Sequence, residues 1–222
     1  MGKKSMGITV AGLAGFGFNT ACAFIQHWSL QEFCWSTWLA ALFFSWSCVA
    51  AAAIRIIFDF RFQKEAFELK IPPLKNVSGS IFIIVLCLAV LLAAWVTFRI
   101  YSYLFAFYGV FLSVWAEMEP RSFFGRNGFI NSDFFSPVTY LTKKFWPMIV
   151  GLLVSNQDIF IKEASWKLMF LPFRSGAIVR IHILVLVMPV LCLLAWAISK
   201  NAYQPITITL LMGVVYLFRM RT

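Results

Sequence analysis

The 222-residue sequence has few charged side chains, only two histidines and no Cys-x-x-Cys pair. Charged residues make up 13% of the chain and hydrophobic residues 61%, whereas soluble proteins average about 25% and 45–50%. This composition excludes a nucleic-acid binder, a cytosolic enzyme and a secreted disulfide scaffold. The scarcity of histidine and the scattered cysteines exclude a zinc, haem, copper or di-iron site built by this chain alone. A Gly-rich phosphate loop and a nucleophile elbow are also missing, so we expect no cofactor.

The apolar residues are gathered in runs about as long as the roughly 20 residues that a helix needs to cross a bilayer. The pattern predicts an all-α protein in which residues 1–222 form a single integral membrane domain. We expect a polytopic bundle of about six transmembrane helices, with short interfacial helices in the loops. The runs cover residues 8–26, 35–58, 80–115, 145–161, 176–198 and 203–218.

The run over 80–115 is too long for one perpendicular span and is interrupted only by Arg99. One interpretation is a helical hairpin that turns near Arg99, although no Gly or Pro stands at the turn. The other is a single tilted helix of roughly 54 Å at 1.5 Å per residue. Seven spans result if the hairpin forms and 145–161 also crosses the membrane.

Basic residues indicate the orientation of the chain, because Lys and Arg accumulate in cytoplasmic loops. Residues 59–78 contain four cations and two prolines, so we predict a cytoplasmic loop there. Both six-span layouts place the two termini in the cytoplasm. Residues 117–144 mix phenylalanine with Arg and Lys, which favours a polar loop at the membrane interface, and the same mixture predicts that 165–174 lies on the headgroups. The net charge of +10 also favours contact with anionic lipid, at roughly 1 kcal/mol per cation near the surface.

Small residues recur at four-residue spacing in the first apolar run, at Gly7, Ala11 and Gly15. Such a stripe lets two helices approach closely enough to gain packing energy in lipid. We therefore predict a helix-packing surface, used either inside this chain or against another subunit.

Ionisable residues inside the apolar runs are a further signal, because each one costs at least ~2.5–3.5 kcal/mol at mid-membrane. Asp158 lies in a polar break of an apolar run, and the Arg180 guanidinium would stabilise its carboxylate. The sequence predicts a polar cluster near the cytoplasmic membrane boundary. This cluster is either a structural ion pair or a site for a ligand or substrate. Its candidate members are Asn156, Asp158, Glu163, Arg180 and His182.

Several short motifs occur in a characteristic order along the chain: Phe107-Tyr108-Gly109-Val110-Phe111, then Ser155 with Glu163, then Leu171-Pro172-Phe173 before Arg180-Ile181-His182, and Pro205 at the last run. This order resembles an uncharacterised family of multi-pass prokaryotic membrane proteins, a domain of unknown function. The resemblance implies a location in the prokaryotic cytoplasmic membrane. The family has histidine where this chain has Phe107 and Asn156. If those histidines bind a metal or cofactor, the resemblance implies that this chain is a structural or accessory relative.

Three functions are consistent with these patterns. We expect a non-catalytic multi-pass membrane subunit or scaffold, because 222 residues leave no aqueous domain for chemistry, and its partners would be other membrane subunits or a second copy of the chain. The alternative is a small transporter or channel whose path the polar cluster lines. The third is a lipid-modifying enzyme that uses Asp158 or His182 as acid or base.

Overall fold

The computed structural model describes residues 10–58, 79–116, 135–162, 165–174 and 190–217, and these residues are almost entirely helical. The predicted all-α class is confirmed. The predicted 59–78 loop and residues 117–134 of the predicted polar loop lie outside the described residues. The helices are α1 (Val10–Ile25), α2 (Leu30–Phe58), α3 (Gly79–Ala116), α4 (Phe135–Ser155), α5 (Gln157–Lys162), α6 (Ser165–Met169), α7 (Leu171–Arg174), α8 (190–198) and α9 (Tyr203–Leu217).

Two of the described helices are long and apolar enough to cross a bilayer. They are Leu30–Phe58, which is α2, and Ile83–Val110, which lies within α3. α1 and α9 are apolar but shorter, at 16 and 15 residues. The six-span bundle is therefore not confirmed. Most of the run expected over 176–198 falls outside the described part of the chain.

The end of α1 is a tight helix terminus in which His27 has a left-handed backbone, with φ of 50°. The Trp28 N–H donates to the Ala23 carbonyl at 2.9 Å, and the His27 N–H donates to the Phe24 carbonyl at 3.2 Å. This is the bonding pattern of a Schellman motif, which usually has glycine at the left-handed position. The terminus turns the chain directly into α2.

α2 begins at Leu30, five residues before the apolar run predicts, because Ser29 and Glu32 form a capping box. The Glu32 N–H donates to Ser29 Oγ at 3.2 Å, and the Ser29 N–H donates to Glu32 Oε2 at 3.0 Å. Two backbone donors of the first turn are thereby satisfied.

α3 is one continuous helix of 38 residues, so the hairpin interpretation near Arg99 is wrong, and so is the seven-span layout that requires it. α3 runs antiparallel to α2. The Trp38 indole N–H donates to the Phe105 carbonyl at 2.9 Å, and the Trp46 and Phe98 rings stack with centroids 4.8 Å apart. No residue near Arg99 breaks the backbone hydrogen bonds, and α2 provides a continuous packing surface.

α4 starts inside the predicted polar loop, because residues 135–144 are helical. Phe135 reaches the Trp46 ring, with centroids 6.1 Å apart, which gives this segment an apolar contact. The helix is kinked at Phe145, where φ is −106° and ψ is 17°. Pro147 explains the kink, since proline lacks an N–H and its ring displaces the carbonyl four residues earlier. Phe145 is itself buried and packs edge-on against Trp28 at 5.1 Å.

The short helices α6 and α7 pack against α2. Leu168, Met169 and Leu171 are buried, and the Tyr101 hydroxyl of α3 donates to the Met169 carbonyl at 3.1 Å. These three side chains therefore face the protein core, whereas Trp166 and Phe170 of the same segment are exposed. That residues 165–174 lie on the headgroups stays a prediction.

Candidate functional site

The predicted polar cluster is only partly within the described residues. Asn156 and Asp158 lie there, at the junction of α4 and α5, whereas Glu163, Arg180 and His182 lie outside them. The cluster as a whole therefore stays a prediction.

The polar break itself is a turn at Asn156. The Asn156 amide nitrogen donates to the Leu152 carbonyl at 2.8 Å, and Ser155 Oγ donates to the Gly151 carbonyl at 2.5 Å. The Leu152 carbonyl also accepts the backbone N–H of Asn156 at 3.2 Å, so the Asn156 side chain adds a second hydrogen bond to the last turn of α4. Within the described residues, Asn156 thus bonds to its own helix end.

Arg55 links the end of α2 to α5. Its Nη1 donates to the Phe160 carbonyl at 3.1 Å. Phe160 is in the last turn of α5, where carbonyls lack backbone donors and a cation is favoured by the helix dipole. The Phe44 and Phe160 rings also pack edge-on, with centroids 5.7 Å apart.

A buried polar node joins α1, α4 and α9, and sequence reasoning missed it. Asn19 is fully buried, and its amide nitrogen donates to the Tyr216 hydroxyl at 2.7 Å and to the Gly15 carbonyl at 3.1 Å. The Tyr216 hydroxyl is in turn 3.5 Å from Met148 Sδ. Gly151 makes room for this amide, because a Cβ on Gly151 would lie 1.8 Å from the Asn19 nitrogen. The signal that could have predicted this node is an asparagine inside an apolar run of the sequence.

The predicted glycine stripe falls partly on this node. Gly7 lies outside the described residues, and Ala11 is half-buried. Gly15 is buried, and a Cβ there would lie 2.9 Å from Tyr216 Cε1 and 3.2 Å from the Gly151 carbonyl oxygen. At Gly15 the close approach is thus between helices of this chain.

The second candidate site is the outward face of α3. Between residues 81 and 99, six exposed residues lie within an arc of about 80° at 3.6 residues per turn. Val90, Thr97 and Tyr101, on the opposite side of the helix, are buried. We call the exposed set the outer stripe: Ile81, Ile84, Leu88, Leu92, Trp95 and Arg99.

Arg99 is the charged member of the outer stripe. Its Cζ lies 5.9 Å from the centre of the Trp95 ring and 5.6 Å from that of Tyr103. These aromatic residues stand four positions before and after it, one helical turn away. This spacing is readable in the sequence, but the position of the guanidinium between the rings is not.

Along the axis of α2, Arg99 lies between Glu32, near the start of that helix, and Arg55, near its end. The neighbouring Phe98 stacks on Trp46. Along the axis of α2, Trp46 is about 21 Å from Glu32 and about 14 Å from Arg55, at 1.5 Å per residue. Glu32 forms an ion pair with Lys144 of α4 at the first of these levels.

A cavity of about 250 Å³ lies between the end of α1 and the start of α9. Trp28, Pro205 and Ile208 contribute to its mainly apolar lining, with His27 and Gln204 as its polar side chains. Within the described ranges, no group of three or more His, Cys, Asp or Glu side chains could hold a metal ion.

Comparison of the chain with protein-family models, with curated proteins and with solved structures gives no match. The resemblance described above therefore supplies no family assignment.

Proposed function

We propose that the protein is a non-catalytic multi-pass subunit or scaffold of a membrane assembly, and that it contacts a transmembrane helix of another subunit through the outer stripe of α3. One observation carries the proposal. Half of the α2 span is buried within the chain, but only 11% of the α3 span is. Of these two described spans, the more apolar one is thus the less buried.

Contact with lipid tails alone accounts for the apolar members of the stripe but not for Arg99. A charge at mid-membrane costs at least ~2.5–3.5 kcal/mol, and each of its two cation–π contacts returns about 0.5–2 kcal/mol. The rings offset that cost at best, and they leave the guanidinium N–H groups without an oxygen acceptor. A partner subunit that covers the stripe would supply one.

The orientation follows from the charge distribution along the chain. Both termini lie in the cytoplasm, which the cations of 59–78 support, and the membrane is the prokaryotic cytoplasmic membrane that the resemblance implies. Basic residues near that surface bind anionic headgroups.

The test is affinity purification of the tagged chain from its native membrane in mild detergent, with mass spectrometry of the proteins that co-purify. We expect partner subunits in stoichiometric amounts. Leu92→Trp, in the outer stripe, should remove most of the partner. Leu193→Trp in α8 is the matched control, because Leu92 and Leu193 are similarly exposed, at 62% and 68%. A chain that purifies alone, or partners that Leu92→Trp leaves in place, would contradict the proposal.

A small transporter or channel is the second candidate, favoured by the kink of α4 at Phe145 and by the turn at Asn156 between α4 and α5. Transporters place polar residues at such breaks. In that case Asp158→Asn should abolish ion flux into proteoliposomes, measured with an entrapped dye, and Leu193→Trp should not.

A further inference from the structure

The surroundings of Arg99 indicate which partner the outer stripe would accept. Its guanidinium is exposed on the outer stripe and lies between the Trp95 and Tyr103 rings. These are its contacts among the described residues. The π faces attract the cation, but they leave its net charge in place and accept none of its N–H groups through an oxygen lone pair.

The rest of the stripe restricts the class of acceptor. The residues that precede Arg99 on this face are Ile81, Ile84, Leu88, Leu92 and Trp95, which extend along about 21 Å of helix. A complementary surface must therefore be apolar over most of its length and carry one acceptor at the level of Arg99. A carboxylate matches best, because it takes two parallel N–H bonds from a guanidinium and neutralises it.

We infer that the partner subunit contributes a transmembrane helix that carries a single aspartate or glutamate facing Arg99. This inference depends on the proposed function and specifies its partner. Trp95 and Tyr103 hold the guanidinium in place on either side, and the apolar residues of the stripe exclude water from the ion pair. The pair thereby selects both the partner and its depth relative to α3.

The experiment uses the full-length chain in nanodiscs of zwitterionic lipid and a synthetic transmembrane peptide of leucine and alanine with one central glutamate. A second peptide has glutamine in its place. Association is measured by energy transfer between labels on the chain and on the peptide. We expect the glutamate peptide to bind at least tenfold more tightly than the glutamine peptide.

Variants of the chain assign this preference to Arg99. Arg99→Gln should reduce binding of the glutamate peptide to the level of the glutamine peptide. Lys200→Gln is the matched control, because the Lys200 ammonium also lies over an aromatic ring, 5.1 Å from the Trp196 centroid, and should change nothing. Arg99→Glu should bind a peptide with a central lysine, because the ion pair is then restored with reversed charges. This result would support the inference even if Arg99→Gln disturbs the local structure.

Equal binding of the two peptides, or a preference that Arg99→Gln leaves intact, would overturn the inference. A third outcome would also overturn it. If phosphatidylglycerol added to the nanodiscs displaces the peptide, and this displacement requires Arg99, then Arg99 binds a lipid phosphate. The proposed function fails separately. If native partners co-purify with Arg99→Gln as well as with the unaltered chain, only the carboxylate partner is wrong; if no partner co-purifies with the unaltered chain, the subunit proposal itself is wrong.

Discussion

The amide nitrogen of Asn19 donates to the hydroxyl oxygen of Tyr216 at 2.7 Å, although the two residues are 197 positions apart. The bond joins the first and last described helices beside Gly151 of α4. Asn19 Oδ1 has no hydrogen-bond partner within the described ranges. The Asn19 amide nitrogen has two acceptors, the Tyr216 hydroxyl and the Gly15 carbonyl. The stability of the protein should therefore be sensitive to the loss of either one.

Tyr216→Phe should destabilise the protein by about 1–2 kcal/mol, because it leaves a buried N–H of Asn19 without an acceptor. The measurement is unfolding in a graded SDS titration. Tyr203→Phe is the control, since the Tyr203 hydroxyl accepts only a half-buried bond from Gln204 and its loss should cost less. The double variant Asn19→Leu with Tyr216→Phe should be less destabilised than the two single changes together. Additive effects would mean that the two side chains are not coupled.

Gly151→Ala should be destabilising by about 1–3 kcal/mol, because the added methyl group would occupy the position of the Asn19 amide nitrogen. Gly17→Ala is a matched control in α1, where a Cβ would meet nothing within 4 Å. That change should be neutral or stabilising by up to about 1 kcal/mol, as alanine favours helix. Thermal unfolding in detergent distinguishes the two. Equal effects at both positions would show that α1 and α4 do not approach as described.

At the start of α2, Ser29→Ala should be more destabilising than Lys144→Gln. Loss of the cap costs about 1 kcal/mol, whereas the Glu32–Lys144 pair is partly exposed and contributes about 0–1 kcal/mol. The effect of Lys144→Gln should also shrink at high salt, which screens the pair. Chemical unfolding at two ionic strengths provides both comparisons. A larger loss from Lys144→Gln than from Ser29→Ala would reverse this ranking.

His27→Gly should raise the thermal unfolding temperature, because a left-handed backbone costs an L-residue roughly 1–2 kcal/mol that glycine does not incur. Part of the gain is offset by the greater freedom of glycine in the unfolded chain. His27→Val should have the opposite effect, since β-branched residues are strained at positive φ. An unchanged temperature for both variants would argue against the left-handed terminus of α1.

Local features of this protein were readable from the sequence. The bounds of α1 and α9 fall within two residues of the apolar runs that predict them, and the polar residues 155–158 do interrupt a helix. The start of α2 was predicted five residues late, although the Ser29–Glu32 capping box that sets it joins residues only three positions apart. Such features depend on residues a few positions apart, so the chain determines them without reference to its tertiary structure.

Tertiary contacts decided the rest. Whether residues 80–115 form one helix or two depended on α2, which packs along α3 through Trp38 and Trp46. The outward direction of Arg99 and the burial of Asn19 against Tyr216 likewise follow from how the helices are arranged. The physical reason is that α2 and α3 are apolar nearly all round, so their periodicity does not distinguish a buried face from an exposed one. By itself the sequence determined that these segments are helices, and only the packed structure determined which side of each helix is left for a partner.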